Sequence, residues 1–222
     1  MENLKYNSDE EQRGQAIYSN WILSVYDLFV LSYNNRLVWK CPTSKILDFY
    51  NHHVSNNHLD VGVGTGYYMS HCTFPSAKPR VALMDLNSNC LRIASEKISH
   101  FQPETYHNSV FDPLGKHVRN FDSISACYLI HCVPGNIREK ASVFRALKSV
   151  LNPGGKLFGV TLLQGDTKRS LQAKLQMRIF NQMGVFHNTE DDLDGLEWAL
   201  SQHFKKFSIK VIGCAALFWA KD

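Results

Sequence analysis

An open, mostly parallel α/β sheet, covered by helices on both faces and preceded by a helical cap, is the fold class that this sequence predicts. Three observations point to it. From Leu59 onward, short apolar runs alternate with stretches of helical periodicity, the order that builds strand–helix–strand units. The run Phe121–Ile130, FDSISACYLI, is almost continuous in apolar and small residues, as a strand covered on both faces must be. The last two apolar runs, Phe207–Ile212 and Cys214–Ala220, are separated only by Gly213, which reads as an antiparallel hairpin added to a parallel sheet.

Taken in order, Tyr18, Trp21, Ile22, Val25, Leu28 and Phe29 recur at three- and four-residue intervals, so residues 1–55 are predicted as a helical cap and 56–222 as the core of one domain. The core opens with a strand over His58–Val61, a short helix over Tyr67–Cys72 and a strand over Arg80–Asp85. Leu91, Ala94 and Ile98 then share one face of a helix that Asn87 or Ser88 can cap. A third strand is expected over Glu104–Val110 and a fourth over Phe121–Ile130. Asn136 with Glu139 can start a helix reaching Val150, and Asn152-Pro153-Gly154-Gly155 stops the chain and turns it into a strand over Lys156–Leu163. Helices over Thr167–Met183 and Glu190–His203 precede the hairpin, the second opened by a Thr189/Asp192 capping box. No repeat or linker interrupts the pattern.

Composition narrows the function. A chain of 222 residues with 44% hydrophobic content suits one sizeable core. The net charge of +4 comes from 24 basic and 20 acidic residues with no run of one sign, so neither a nucleic-acid stripe nor a polybasic membrane patch is expected. The apolar stretch Trp21–Leu31 is broken by Ser24 and Asp27 and is too short to span a bilayer. No signal peptide is evident, and a soluble cytoplasmic protein is expected. Six cysteines lack any Cys-x-x-Cys or Cys/His spacing, which fits free thiols in a reducing compartment. The adjacent His52 and His53 point in different directions and read as a solvated pair, not as metal ligands.

The chemistry concentrates in LDVGVGTG, Leu59–Gly66, where Gly62, Gly64 and Gly66 follow a strand directly. Such a turn lets a ligand approach the backbone where a Cβ would collide with it, next to the unpaired N–H groups of a helix start. The third glycine comes one residue earlier than in the dinucleotide pattern Gly-x-Gly-x-x-Gly, which disfavours a pyrophosphate. Asp85, nineteen residues past Gly66 and at the end of the next strand, can accept hydrogen bonds from both hydroxyls of a ribose.

With Phe121-Asp122 opening the fourth strand and Leu151-Asn-Pro-Gly-Gly155 before the fifth, these motifs resemble the class I S-adenosylmethionine-dependent methyltransferases from Leu59 to the end of the chain. The resemblance implies a Rossmann-like, seven-stranded sheet with an antiparallel last strand, and S-adenosyl-L-methionine as cofactor with S-adenosyl-L-homocysteine as product. It further implies that the glycine loop lies along the methionine part and that Asp60 holds that loop or the amino group. Asp85 would bind the ribose, with Asn87 beside it, and Leu86 would pack on adenine. The adenine contact after the third strand is either Ser109 with Val110, the favoured register, or Asp112. Tyr26-Asp27-Leu28, Ser32, Arg36 and Trp39-Lys40 resemble the opening segment of quinone-biosynthesis methyltransferases. That makes Tyr26 and Trp39 cap residues facing the substrate, although each is equally accounted for as a core aromatic.

Acceptor chemistry points to Cys127–Pro134, CYLIHCVP, after the fourth strand. It lacks the Asn/Asp-Pro-Pro-Tyr signature of enzymes that methylate nucleic-acid amino groups, so a small, partly apolar acceptor is expected: a phenol, enol, carboxylate or ring nitrogen of specialised metabolism. His131 is the candidate general base, with a buried or capping role as the alternative, and Tyr128 faces the same choice. No metal is expected. Two further readings stay open: a protein of the same fold that uses the cofactor for a non-methylating cyclisation or rearrangement, and a non-catalytic partner subunit. Exchange of the cap between subunits would make a homodimer.

Overall fold

The computed structural model describes residues 27–115, 117–165 and 167–222, with side chains from residue 33 onward. The predicted cap face from Tyr18 to Val25 and the cap residue Tyr26 lie outside the described residues, as do the side chains of Leu28 and Phe29.

Seven strands form one sheet: β1 (Asn57–Val61), β2 (Arg80–Asp85), β3 (Glu104–His107), β4 (Phe121–Cys127), β5 (Leu151–Leu162), β6 (Lys206–Ile212) and β7 (Ala215–Lys221). Their order is β3-β2-β1-β4-β5-β7-β6. β1 to β5 pair in parallel, and β7 inserts antiparallel between β5 and β6. The chain reverses direction across the sheet between β1 and β4, leaving a crevice at the carboxyl ends of the central strands where such folds bind ligands.

Among the described residues two helices precede the sheet, α1 (Asp27–Val38, of π type) and α2 (Thr43–His53). Then follow α3 (Tyr67–His71), α4 (Ser88–Lys97), α5 (Ala141–Ser149), α6 (Leu171–Gln182) and α7 (Leu193–Ser201). Side chains alternate across the strands, so Val81 and Leu83 enter one core with Ile46, Met69, Leu91 and Met177 of α2, α3, α4 and α6, while Ala82 and Met84 enter the other with Phe144 and Leu200 of α5 and α7. Burying each large side chain of this kind stabilises the fold by ~1.5–3 kcal/mol. Among the described residues no helix is long and apolar enough to cross a membrane.

The elements differ from expectation where side chains compete with the backbone. β3 ends at His107, short of Val110, because the Asn108 amide donates to the Ser109 carbonyl and the Ser109 hydroxyl accepts from the Phe111 N–H, closing a turn. β4 stops at Cys127 because Tyr128 takes a left-handed φ of 62°, and a 3₁₀ turn follows at Ile130–Cys132. The Asn-Pro-Gly-Gly segment does not precede β5. It lies inside that strand, where the register against β4 shifts between Phe121 and Ser123 and Gly154 has φ 80°, an irregularity that takes up the extra residues. Asn136 and Glu139 do form a reciprocal capping pair, with both Arg138 N–H and Glu139 N–H on Asn136 Oδ1 at 3.1 Å, but turns delay α5 to Ala141. α6 starts later than predicted, capped by Ser170, and α7 is capped by Asp192, while Thr189 donates instead to Asn181. His53 is no solvated residue: it is buried against Phe158, and burial and Lys156 lower its pKa to about 4.

Candidate active site

In the turn after β1 the three glycines are left-handed, with φ of 71°, 52° and 70° at Gly62, Gly64 and Gly66. A Cβ on Gly62 would lie 2.9 Å from the Leu129 side chain, and one on Gly66 would lie 2.9 Å from the backbone of Ala94 in α4. A Cβ on Gly64 would meet nothing within 4 Å. Two glycines therefore serve packing, and the middle one leaves room beside the backbone.

Asp85 joins this turn to the end of β2. Its Oδ2 accepts the Gly64 N–H at 3.4 Å and its Oδ1 accepts the Asn87 N–H at 2.8 Å. Loss of water raises its pKa to about 6 despite those backbone donors. Asn87 caps α4, its Oδ1 accepting from Asn89 at 2.9 Å and Cys90 at 3.4 Å. The segment after β3 lies against the same strand end: His107 Nε2–H donates to the Leu86 carbonyl at 2.7 Å, and Asn108 N–H to the Asp85 carbonyl at 3.3 Å. Ser109 and Val110 follow, both buried, while Asp112 is exposed and lines a cavity of 330 Å³ with Arg145 of α5.

Asp60, on β1, is buried and accepts from Ser125 of β4. Burial raises its pKa to about 7, the Ser125 bond opposes that rise and the neighbouring Asp85 adds to it. Among the described residues neither carboxylate has a cationic partner; the ion pairs are Arg80–Glu104, Arg92–Glu96, Lys140–Asp191 and Lys148–Asp222. A pair of neighbouring desolvated carboxylates favours a cationic ligand. S-adenosylmethionine, with a sulfonium, an ammonium and a ribose diol, fits the donors and acceptors present, and Gly64 leaves it room.

Tyr128 and His131 lie together at the end of β4, their rings 5.6 Å apart. Tyr128 O–H donates to Asn35 Oδ1 at 2.8 Å, and the Asn35 amide donates to Thr43 at 2.9 Å, so the strained residue ties α1 to β4. His131 is 2% exposed, set edge-on to Phe186 at 4.6 Å. Its Nδ1 accepts the Leu162 N–H at 3.3 Å, which leaves the ring proton on Nε2. Burial, reinforced by Lys140, lowers its pKa to about 3. Trp39 is buried, packs on Phe186 at 6.3 Å between ring centres, and accepts the Cys214 N–H at 2.8 Å through its carbonyl. It thus anchors the cap to the hairpin turn at Gly213.

Sequence reasoning missed three sets of buried polar groups. Tyr50, His58, Ser123 and Ser125 form a hydrogen-bonded row leading to Asp60; polar residues at period two in β1 and β4 were its signal. Lys140 and Asp191 form an ion pair with both side chains fully buried. Among the described residues the buried Asn34 Oδ1 and Tyr68 O–H have no hydrogen-bond partner. Among the described residues no group of three His, Cys, Asp or Glu is placed to hold a metal.

The chain is similar to known proteins. A methyltransferase domain family matches residues 59–157. Demethylluteothin O-methyltransferase of Streptomyces thioluteus is 36% identical over 211 residues, covering 94% of this chain and 92% of that protein. The physcion biosynthesis cluster O-methyltransferase of Aspergillus chevalieri is 34% identical over 211 residues, covering 94% of this chain and 95% of its own. Among solved structures, DhpI in complex with SAH superposes with a TM-score of 0.70 at 16% identity over 96% of this chain and 97% of that one, which shows the shared fold. The glycine turn, the carboxylates at the ends of β1 and β2, the inserted antiparallel strand and the full-length relatives agree: this chain belongs to the class I S-adenosylmethionine-dependent methyltransferases.

Proposed function

We propose that this enzyme methylates an acidic hydroxyl, phenol or enol, of a small and largely apolar molecule of specialised metabolism. Two relatives similar along nearly the whole chain carry O-methyltransferase in their names. The observation that carries the choice of an acidic hydroxyl is the state of His131, a candidate base named beside Tyr128: buried, depressed to about pKa 3 and already accepting the Leu162 N–H. A ring so placed orients an acceptor oxygen and takes a proton only by giving up that bond. An acceptor that ionises readily in water needs no stronger base.

In this reading Gly62, Gly64 and Gly66 hold the methionine part of the cofactor, with Asp60 beneath them. Asp85 takes the ribose hydroxyls while Asn87 fixes the carboxylate's direction. Leu86, Ser109 and Val110 flank the adenine, and Tyr128 and Trp39 close the acceptor side. The bound sulfonium supplies an already electrophilic methyl group, so the chain's own residues align the acceptor and exclude water.

The test is single-turnover transfer of a labelled methyl group to a panel of phenols, enols, aliphatic alcohols and ring amines, across pH, for the native enzyme and His131→Asn. Product from acidic hydroxyls alone, with a modest and pH-independent slowing in the variant, is expected. A loss of ~10²–10⁴ that shrinks as pH rises would make His131 the general base instead. Exclusive labelling of ring amines would overturn the O-methyl reading.

A further inference from the structure

Asp60 and Ser125 are cross-strand partners on β1 and β4, and so are His58 and Ser123 two residues earlier. All four side chains lie on the same face of the two strands, opposite the face where Leu59, Val61, Ile124 and Ala126 pack, and His58 and Ser125 are fully buried. Ser125 Oγ bonds Asp60, and lies 3.0 Å from His58 Nε2 and 3.1 Å from Tyr50 O–H. Tyr50 also donates to Met69 Sδ at 2.8 Å, which fixes it over the row. His58 Nδ1 lies 2.7 Å from Ser123 Oγ, and Ser123 Oγ lies 2.7 Å from Ser55 Oγ. Ser55 is half-buried, at the opposite end of the sheet from the crevice. A continuous line of hydrogen bonds thus runs beneath the central strands from the carboxylate of the cofactor site to solvent.

Every intermediate group on that line, hydroxyl or imidazole, can both donate and accept, so its polarity can reverse. An apolar core would stabilise the same strands without the cost of burying these groups. We propose that this row is a proton path serving Asp60: the carboxyl is protonated in the free enzyme, and binding of the cationic cofactor ionises it and releases the proton at Ser55. The O–H bond of Asp60 breaks with its electron pair left on the carboxylate. Ser125 passes a proton to His58 Nε2 as His58 Nδ1–H passes one to Ser123, and the last proton leaves through Ser55 to water.

The groups facing Asp60 leave few other sources for such a proton. Tyr50 from α2, Cys72 after α3 and Cys127 at the end of β4 are all raised by burial, and His58 on its own strand is lowered to about 3 by burial, so each stays neutral near pH 7. Asp85 at the end of β2, raised to about 6, is the one other group that titrates nearby. Asp60 itself is raised to about 7.

The inference rests on the glycine turn being the cofactor site, and its test separates the two. The chain is titrated calorimetrically with adenosylmethionine and with adenosylhomocysteine in phosphate and in Tris, whose ionisation heats differ, between about pH 6 and 8. Expected is a buffer-dependent enthalpy equal to about half a proton released at neutral pH, falling away toward pH 8, and lost at neutral pH in Asp60→Asn, because Asp85 at about 6 is already largely ionised there. Ser123→Ala, which cuts the row and leaves Asp60 in place, should release the same number of protons but at least ~10-fold more slowly in a stopped-flow indicator assay. Binding with buffer-independent heat, or an unchanged proton count in Asp60→Asn, would overturn the inference alone. An unchanged release rate in Ser123→Ala would overturn the path. No binding of either ligand would overturn the site and the inference together.

Discussion

Gly64 differs from Gly62 and Gly66 in what surrounds it. Its neighbours are held by Leu129 and Ala94, so an added methyl group there must displace packed atoms, whereas beside Gly64 only backbone strain and, in the proposed site, room for the cofactor are at stake. Gly64→Val is accordingly expected to lower stability by only ~1–2 kcal/mol, for a left-handed residue, yet to abolish cofactor affinity. Gly66→Val should instead disrupt the contact with α4 and lower the melting temperature further. Thermal melts paired with calorimetry on adenosylhomocysteine separate the two, and normal affinity in Gly64→Val would mean that the turn only turns. The three glycines were legible in the sequence as a set. Their division of labour was not, because Leu129 and Ala94 reach the turn through β4 and α4, far along the chain.

Between elements, two polar contacts hold the crevice in shape. Tyr128, strained at φ 62°, bonds Asn35 and so links the end of β4 to α1. In Tyr128→Phe the fully buried Asn35 Oδ1 loses this donor, at a cost of ~1–3 kcal/mol. The expected result is a raised KM for the acceptor with little change in cofactor affinity; equal weakening of both would place Tyr128 on the cofactor's side. The second contact joins the start of α5 to the segment before α7: Lys140 Nζ donates to Asp191 at 2.6 Å and to the His187 carbonyl at 2.8 Å, while His187 N–H donates to the His131 carbonyl at 2.7 Å. Phe186 is thereby held against His131. Removing one partner of a buried pair leaves the other charge uncompensated, so Lys140→Met is expected to lose ~3–5 kcal/mol in denaturant unfolding. Lys140→Met with Asp191→Leu should regain most of it; a double variant as unstable as the single one would show that the loss came from packing. Capping at Asn87 and Asn136 could be read locally, but this pairing spans fifty-one positions and could not.

For the molecule as a whole, the two site carboxylates set a pH dependence of stability. Both have folded pKa values above the ordinary 3.8, about 7 for Asp60 and about 6 for Asp85, burial being the main cause. The folded state then keeps protons that the unfolded state has lost, so their contribution is full below about pH 4 and is lost as pH rises through 6 and 7. Asp60→Asn should therefore melt above the native protein at pH 8, by a margin on the order of 3–4 kcal/mol in stability that closes toward pH 4. A constant margin would mean that Asp60 is ionised throughout. By itself the sequence determined the α/β class, the seven strands to within a few residues, the terminal hairpin and the glycine–aspartate signature of the cofactor site, because periodicity and turn chemistry act over short stretches of chain. Only the tertiary structure decided that Tyr128 ends β4, that the Asn-Pro-Gly-Gly segment is absorbed into β5, that His131 is enclosed and neutral, and that His58, Ser123 and Ser125 line up behind Asp60. Each of those depends on burial and on partners brought together by strand pairing, and desolvation is a property of the assembled core that no local stretch of sequence carries.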